Sequence, residues 1–367
     1  MKVGRYDYAA QLDGELTPLM DDLRAMLLEG RYVLGAPVAG FEQAFAAYVG
    51  VRHARTVNSG TDALMIALRC LGVGPGDEVV TQANTFNATV AAIRLVGAVP
   101  VLVDCDEHTF LIDTAQLEPA VTGRTRILLP VHLYGKPTPM QPFTDLAARR
   151  GLRVVEDAAQ AHGARLDGRG AGSCGVVGCF SFHPSKNLAA AGDGGAIVCD
   201  DDQLAELIRC HRELGQQGQN HHVHVGYNSK LDAIQARVLT AKLPKLDAWN
   251  NQRRDVARAY RQGLADLPLS FQQWDEQEEH VFHLFQVRTD RRDELLAHLR
   301  EASIDAVVRY PCPIHLQPAF ADQGWQTGQF PVAERLAREL LCLPIRPGMT
   351  GDEIEYVIDQ VRRFHAA

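Results

Sequence analysis

The sequence predicts an α/β fold. A mostly parallel central sheet carries helices on both faces, and a smaller C-terminal α+β domain follows. Three observations carry this. Short apolar runs alternate with helix-period segments through the first half of the chain. The pattern changes at a long charged helical stretch that begins at Lys245. A chain of 367 residues has room for two domains. The predicted division is 1–244, a large domain with an N-terminal arm, and 245–367, a small one.

The first helical pattern is TDALMIALRCLG (61–72), with apolar residues three and four apart. Ser59 or Thr61 can cap it. EVVTQA (78–83) and VPVLVDCD (99–106) read as buried strands, with TFNATVAAIRLVG (85–97) between them as a helix. RILLPVHLYG (126–135) is the next strand, and PFTDLAARRG (142–151) the next helix, closed by a glycine. RVVEDAAQ (153–160), VVGCFSF (176–182) and AIVCDD (196–201) complete the strand candidates. Such sheets bind ligands at the carboxyl ends of their strands. Polar residues gather there: Asp104, Asp106, His132, Tyr134, Asp157 and Gln160. The small domain starts with the helix KLDAWNNQRRDVARAYRQGL (245–264). A strand, HVFHLFQVRT (280–289), and helices RDELLAHLREA (292–302) and GDEIEYVIDQVRRF (351–364) follow.

A net charge of −8 argues against a nucleic-acid partner. Isolated arginine pairs such as Arg149-Arg150 read as solvated helix faces. No apolar run reaches the about 18 residues of a membrane helix. MKVGRYDYAAQLDGEL has no apolar signal core. None of the eight cysteines forms a C-x-x-C pair, and Cys70, Cys199 and Cys342 lie in apolar surroundings. These features predict a cytoplasmic protein with reduced thiols.

Three stretches point to chemistry. In Asn58-Ser59-Gly60-Thr61-Asp62 the free N–H groups of a helix start can hold a phosphate. The same residues also serve as a plain cap. Asp157 ends a buried strand and precedes small residues, which leave room for something flat. It can be a metal ligand, a general base, a cap, or the partner of a protonated ring nitrogen. Lys186 follows the strand 176–182, ahead of Gly192, Gly194 and Gly195. A nucleotide-binding loop needs its glycines before the lysine, so that reading fails. A lysine in apolar surroundings has a lowered pKa and attacks carbonyls. Together the three match pyridoxal phosphate, which needs a lysine, an acid at its pyridine nitrogen and a phosphate cradle. Their order along the chain is that of the aspartate-aminotransferase fold.

Eight motifs in order strengthen the match: GRYVLGAPVAGFE, NSGTDAL, GDEVVTQANTFNAT, HLYG, VVEDAAQAHGA, SFHPSKNL with GDGGA, VGYNSKLDAIQA and YPCPIHLQPAF. On these the sequence resembles the DegT/DnrJ/EryC1/StrS family of sugar aminotransferases over nearly its whole length. The resemblance implies that Lys186 binds the cofactor covalently and then moves protons. It implies that Asp157 keeps the pyridine nitrogen protonated and that Gln160 approaches the phenolic edge. Phe86 and Ala159 would cover the two ring faces. Ser59, Gly60, Thr61 and Ser181 would form the phosphate site. Asn228 would reach the phosphate of the partner subunit in a homodimer with shared active sites.

His183 stands where relatives often carry Phe or Tyr; it either touches substrate or fills the same space. Tyr310 and His315 are further substrate candidates, in a segment that also serves as a proline-fixed connection. His221, His222 and His224 read as a loop at the pocket rim, with no metal site. The implied reaction is amination of a nucleotide-linked keto-sugar, a dTDP-3-keto-6-deoxyhexose, with L-glutamate as donor and pyridoxamine phosphate as the intermediate cofactor form. A cyclitol ketone of the scyllo-inosose type is the alternative acceptor. A dehydratase branch of the fold replaces the lysine with histidine, and Lys186 sets it aside. A regulator that binds cofactor or sugar nucleotide without turnover is the reading from a different class.

Overall fold

The structure, a computed structural model, describes residues 1–12, 14–275 and 278–366. Its central sheet takes β1 (His53–Val57), β2 (Glu78–Gln82), β3 (Val99–Val103), β4 (Thr125–Leu128) and β5 (Arg153–Asp157). A small hairpin, β6 (Arg165–Leu166) and β7 (Arg169–Gly170), precedes the last two strands, β8 (Val177–Ser181) and β9 (Gly195–Cys199). The order across the sheet is β1-β9-β8-β5-β4-β2-β3. The five strands from β8 to β3 run parallel. Only β9 is antiparallel to its neighbours, β1 and β8. Every residue of β2, β8 and β9 is buried. Covered on both faces, they read as continuous apolar runs rather than alternating ones.

The helix Gly60–Cys70 buries Leu64, Ile66 and Leu68 against the sheet. Ser59 caps it: its hydroxyl accepts from the Asp62 N–H at 3.0 Å. Asn87–Leu95 and Gln141–Arg150 form the next crossovers. Two strands stop earlier than their apolar runs. β4 ends at Leu128; Pro130 has no N–H for a ladder, and Tyr134 takes a left-handed φ of 65°. β3 ends at Val103, and the Asp104 carboxylate accepts from the N–H groups of Val332 and Ala333, both at 2.9 Å. Asp104 therefore caps the helix Pro331–Glu339 and has no ligand role. Asp106 likewise closes a local turn, accepting from the His108 and Thr109 N–H groups.

In the C-terminal half, β10 (Ser270–Phe271), β11 (Phe285–Arg288) and β12 (Leu340–Leu343) form an antiparallel sheet. Helices Arg292–Glu301 and Gly351–Ala366 join it around a core that includes Tyr260, Phe285, Leu299 and Val361. Val3 is buried in this same core, so the first residues of the chain pack on the C-terminal unit. The long helix Leu246–Gly263 serves both units: Leu246 lies in a core of the large sheet, and Val256 and Tyr260 in this one. The expected strand 280–289 is regular only from Phe285; the residues before it turn toward the site, with Phe282 at φ 41°.

The edge strand β1 is pinned by a buried charge network. Glu42 accepts from the Thr56 N–H and hydroxyl, both at 2.8 Å, and pairs with the buried Arg212 guanidinium. Arg212 also donates to the Thr56 carbonyl at 2.9 Å. Removing one partner strands the others away from water. Glu42→Ala should cost about 3 kcal/mol in chemical denaturation of the cofactor-free protein. The half-exposed pair partner Glu206 (53% exposed) sets the comparison: Glu206→Ala should cost less than about 1 kcal/mol. Equal losses would deny the network its role.

Candidate active site

A cavity of about 330 Å³ lies at the carboxyl ends of β5 and β8, walled on its far side by Arg309, Tyr310 and His283. Its floor follows from strand alternation. Successive side chains on β5 point to opposite faces, so adjacent carboxylates part company. Asp157 faces the cavity. Glu156 faces the loop behind, where it accepts from the N–H groups of Gly172 (2.8 Å), Cys174 (2.6 Å) and Gly175 (2.6 Å). The Thr138 N–H donates to His132 Nδ1 at 2.9 Å, so His132 carries its proton on Nε2 and donates to Glu156 at 2.9 Å. Burial pushes the Glu156 carboxyl up, but His132 and the three N–H groups outweigh it and hold the pKa below the usual range.

Asp157 has the opposite balance. Burial raises its pKa; the Thr89 hydroxyl at 2.8 Å, the Ala159 N–H at 3.2 Å and the Lys186 charge only partly offset that. Among the described residues no ion pair covers it. A cation placed beside it would stabilise its charged form.

Lys186 sits in a turn after β8, closed by its N–H to the His183 carbonyl at 2.8 Å. The next residue anchors the turn: the buried Asn187 amide donates to Asn250 and to the Val281 carbonyl, both at 2.9 Å. Burial lowers the Lys186 pKa to about 8; Asp157 pulls it up and Arg309 pushes it further down.

The helix start Ser59-Gly60-Thr61 opens into the cavity beside Ser181. Gly60 is required there, because a Cβ would lie 2.6 Å from Ser181 Cβ. The result is a donor-rich cradle at the positive end of an eleven-residue helix, suited to a phosphate. Gln160 spans the site. Its oxygen accepts from the Tyr134 N–H at 2.8 Å and its nitrogen donates to the Tyr310 hydroxyl at 2.9 Å. Phe86 is 49% exposed, its ring 5.6 Å from that of Tyr310.

The cavity thus gathers Ser59, Gly60, Thr61, Phe86, Asp157, Ala159, Gln160, Ser181, His183, Lys186 and Tyr310. His183 is exposed there, its Nδ1 2.9 Å from the Ser185 hydroxyl, so it does not fill core space. His315 does not reach the cavity: it is buried, 2.9 Å from Glu334 and edge-on to Phe330. Asn228 lies outside its own chain's cavity, with its side chain held by Lys230 at 2.5 Å and its carbonyl by Asn58 at 3.0 Å. Of the polar residues expected at strand ends, only Asp157 and Gln160 line the site. Around the outer loop, His222 bonds the Leu214 carbonyl and His224 stacks on His211 with ring centres 5.1 Å apart. Tyr6, His283 and Arg309 line the cavity without having been expected. The signal for Arg309 was its place beside Tyr310, and for His283 a histidine inside an apolar run. Tyr6 gave none.

A phosphate cradle, a buried carboxylate without a cation and a buried low-pKa amine fit pyridoxal phosphate on these residues' own chemistry. Fold and site together define a pyridoxal-phosphate-dependent aminotransferase. The chain belongs to the DegT/DnrJ/EryC1/StrS aminotransferase family, which it matches over residues 17–362. It is 45% identical to a dTDP-3-amino-3,4,6-trideoxy-alpha-D-glucose transaminase of Streptomyces venezuelae, over 99% of this chain and 94% of that protein. A Geobacillus stearothermophilus "Pleiotropic regulatory protein" is 43% identical over 100% of this chain and 99% of its own. The crystal structure of S. venezuelae DesV in complex with a ketimine intermediate superposes with a TM-score of 0.97 at 45% identity, covering 100% of this chain and 99% of that one. Other solved relatives carry pyridoxamine phosphate or pyridoxal phosphate.

The Lys186 amine reacts only when neutral, and a lowered pKa enlarges that fraction near neutrality. The rate at which cofactor-free protein captures pyridoxal phosphate should therefore climb with pH through about 8 and level off above it. Stopped-flow absorbance across a pH series reads this directly. A midpoint near 10.5, the ordinary lysine value, would contradict the burial argument.

Proposed function

We propose that this chain transfers the amino group of L-glutamate to a nucleotide-linked keto-sugar, a dTDP-3-keto-6-deoxyhexose. The observation that carries the reading is end-to-end similarity to a dTDP-amino-sugar transaminase together with Lys186 and Asp157 facing one cavity. The bound cofactor withdraws electrons from the donor carbon, which makes its proton removable. Lys186 Nζ, uncharged above about pH 8, would take that proton and return it on the far side of the imine nitrogen. Asp157 keeps a proton on the ring nitrogen. Ser59, Gly60, Thr61 and Ser181 hold the phosphate, Phe86 and Ala159 bracket the ring, and Gln160 orients its phenolic edge. His183 and Tyr310 contact the acceptor. No described helix is long and apolar enough to cross a membrane, which suits a cytoplasmic biosynthetic enzyme. The name of the G. stearothermophilus relative favours the second reading, a regulator without turnover.

Glutamate added to the purified holoenzyme should convert its visible cofactor band to the amine form and release 2-oxoglutarate. Amino-sugar nucleotides and amino-cyclitols, run backwards with 2-oxoglutarate, should identify the acceptor by mass and NMR. Asp157→Asn should fold and lose turnover by several orders of magnitude. A holoenzyme inert to every amino donor would favour the regulator.

The active form is a homodimer in this proposal. Leu16, Met20, Leu27 and Leu28 on the helix Leu16–Glu29 are 52%, 55%, 54% and 78% exposed, an apolar face suited to a partner copy. Asn228, outside its own cavity, then serves the phosphate of the other subunit. Mixed dimers of Lys186→Ala and Asn228→Ala subunits decide this, given that each variant alone is impaired. Action in trans puts both defects in one site and restores about half the activity per mixed dimer. Action within one chain restores none.

A further inference from the structure

A second hydroxyl acts on Asp157 without touching it. The Thr89 hydroxyl donates to Asp157 Oδ2 at 2.8 Å, and the Thr85 hydroxyl lies 2.8 Å from that of Thr89. All three side chains are buried. Thr85 and Asp157 line the cavity, and Thr89 does not. Thr85 precedes Phe86, the cap of the helix Asn87–Leu95, and Thr89 lies in the first turn of that helix.

Proton counting fixes the direction of these bonds. A threonine hydroxyl has one proton and two lone pairs, and an ionised carboxylate has only acceptors. Thr89 therefore gives its proton to Asp157. Its oxygen can then only accept, so Thr85 is the donor between the two hydroxyls. The chain runs from Thr85 through Thr89 to Asp157, with every proton directed at the carboxylate. Each bond in such a chain polarises the next, and exclusion of water strengthens the effect. A protonated Asp157 imposes no such order, so the aligned chain favours the ionised form. The positive end of the helix adds to this preference.

We propose that Thr85 is a positioning residue that acts through Thr89 to hold Asp157 ionised, and so keeps the shared proton on the cofactor's ring nitrogen rather than on the carboxyl. The inference rests on the ring-nitrogen role given to Asp157 and is independent of donor and acceptor. A cofactor analogue with carbon in place of the ring nitrogen tests it. That analogue offers Asp157 no cation. The ratio of its dissociation constant to that of pyridoxal phosphate, read by calorimetry on cofactor-free protein, measures what the charged carboxylate contributes.

Thr85→Val keeps the shape and removes the hydroxyl. It should lower the ratio by about two- to fourfold, the strengthening that one further donor lends a charged hydrogen bond. Thr89→Val removes the direct bond and should lower it by about 10- to 100-fold. Thr85→Ser restores the hydroxyl and should keep the wild-type ratio. In both valine variants the magnetic resonance of an isotope-labelled ring nitrogen should move toward its unprotonated position. A role in packing, or a direct contact between Thr85 and the cofactor, would weaken both cofactors equally and leave the ratio unchanged. An unchanged ratio in Thr85→Val, or a serine variant that behaves like the valine one, would overturn the relay. Asp157→Asn separates this from failure of the reading beneath it, and should lower the ratio at least as far as Thr89→Val. A ratio that Asp157→Asn leaves intact would overturn the ring-nitrogen role itself.

Discussion

The site is organised around a carboxylate buried without a counter-ion. Desolvating Asp157 costs free energy that its hydroxyl and backbone donors only partly return. A protein keeps such a group where a cationic ligand arrives to complete it. The demand fixes much else. Thr89, which bonds Asp157, lies on the helix that begins after Phe86, so this cavity-lining aromatic and the carboxylate share one mounting. The pleat of β5 sends Glu156 backward into three backbone donors, which keeps the neighbouring negative charge out of the cavity.

The buried amine follows the same logic with the opposite sign. Lys186 and Asp157 face one cavity, where each moderates the penalty on the other. Neither is neutralised by direct contact, since no salt bridge joins them in this chain. The lysine side chain makes no bond to a described residue; its turn is set by the backbone bond to His183 and by its neighbour Asn187.

Much of this was legible in the sequence because local rules dictate it. Buried parallel strands give continuous apolar runs, and the Ser59 cap with its following glycine announces a helix start. The misreadings have equally local causes. Leu129 to Gly135 continues an apolar run but leaves the sheet at Pro130, so His132 and Tyr134 support the site from behind instead of lining it. Asp104 occupies a strand end, yet β3 is the sheet edge and its carboxylate serves a helix from the far end of the chain. β1 went unread because HARTV is only five residues long and mostly polar, with Arg55 and Thr56 adjacent. His283 and Arg309 reach the cavity through tertiary folding of the C-terminal unit, and no short-range pattern encodes that approach.

Hydrogen bonds stitch the strand-end shelf to the opposite wall: Gln160 to Tyr310, Tyr134 to the Arg309 carbonyl, and Asn187 to the Val281 carbonyl and the His283 ring. Between them the Arg309 side chain projects from the wall, its Nε bonded to none of the described residues. The wall therefore behaves as an interchangeable faceplate on a fixed chassis. Its stitched positions hold the shelf in place, while the side chain at 309 carries none of that support. A lineage built on this plan can change what the cavity admits through position 309 while the shelf beneath stays as it is.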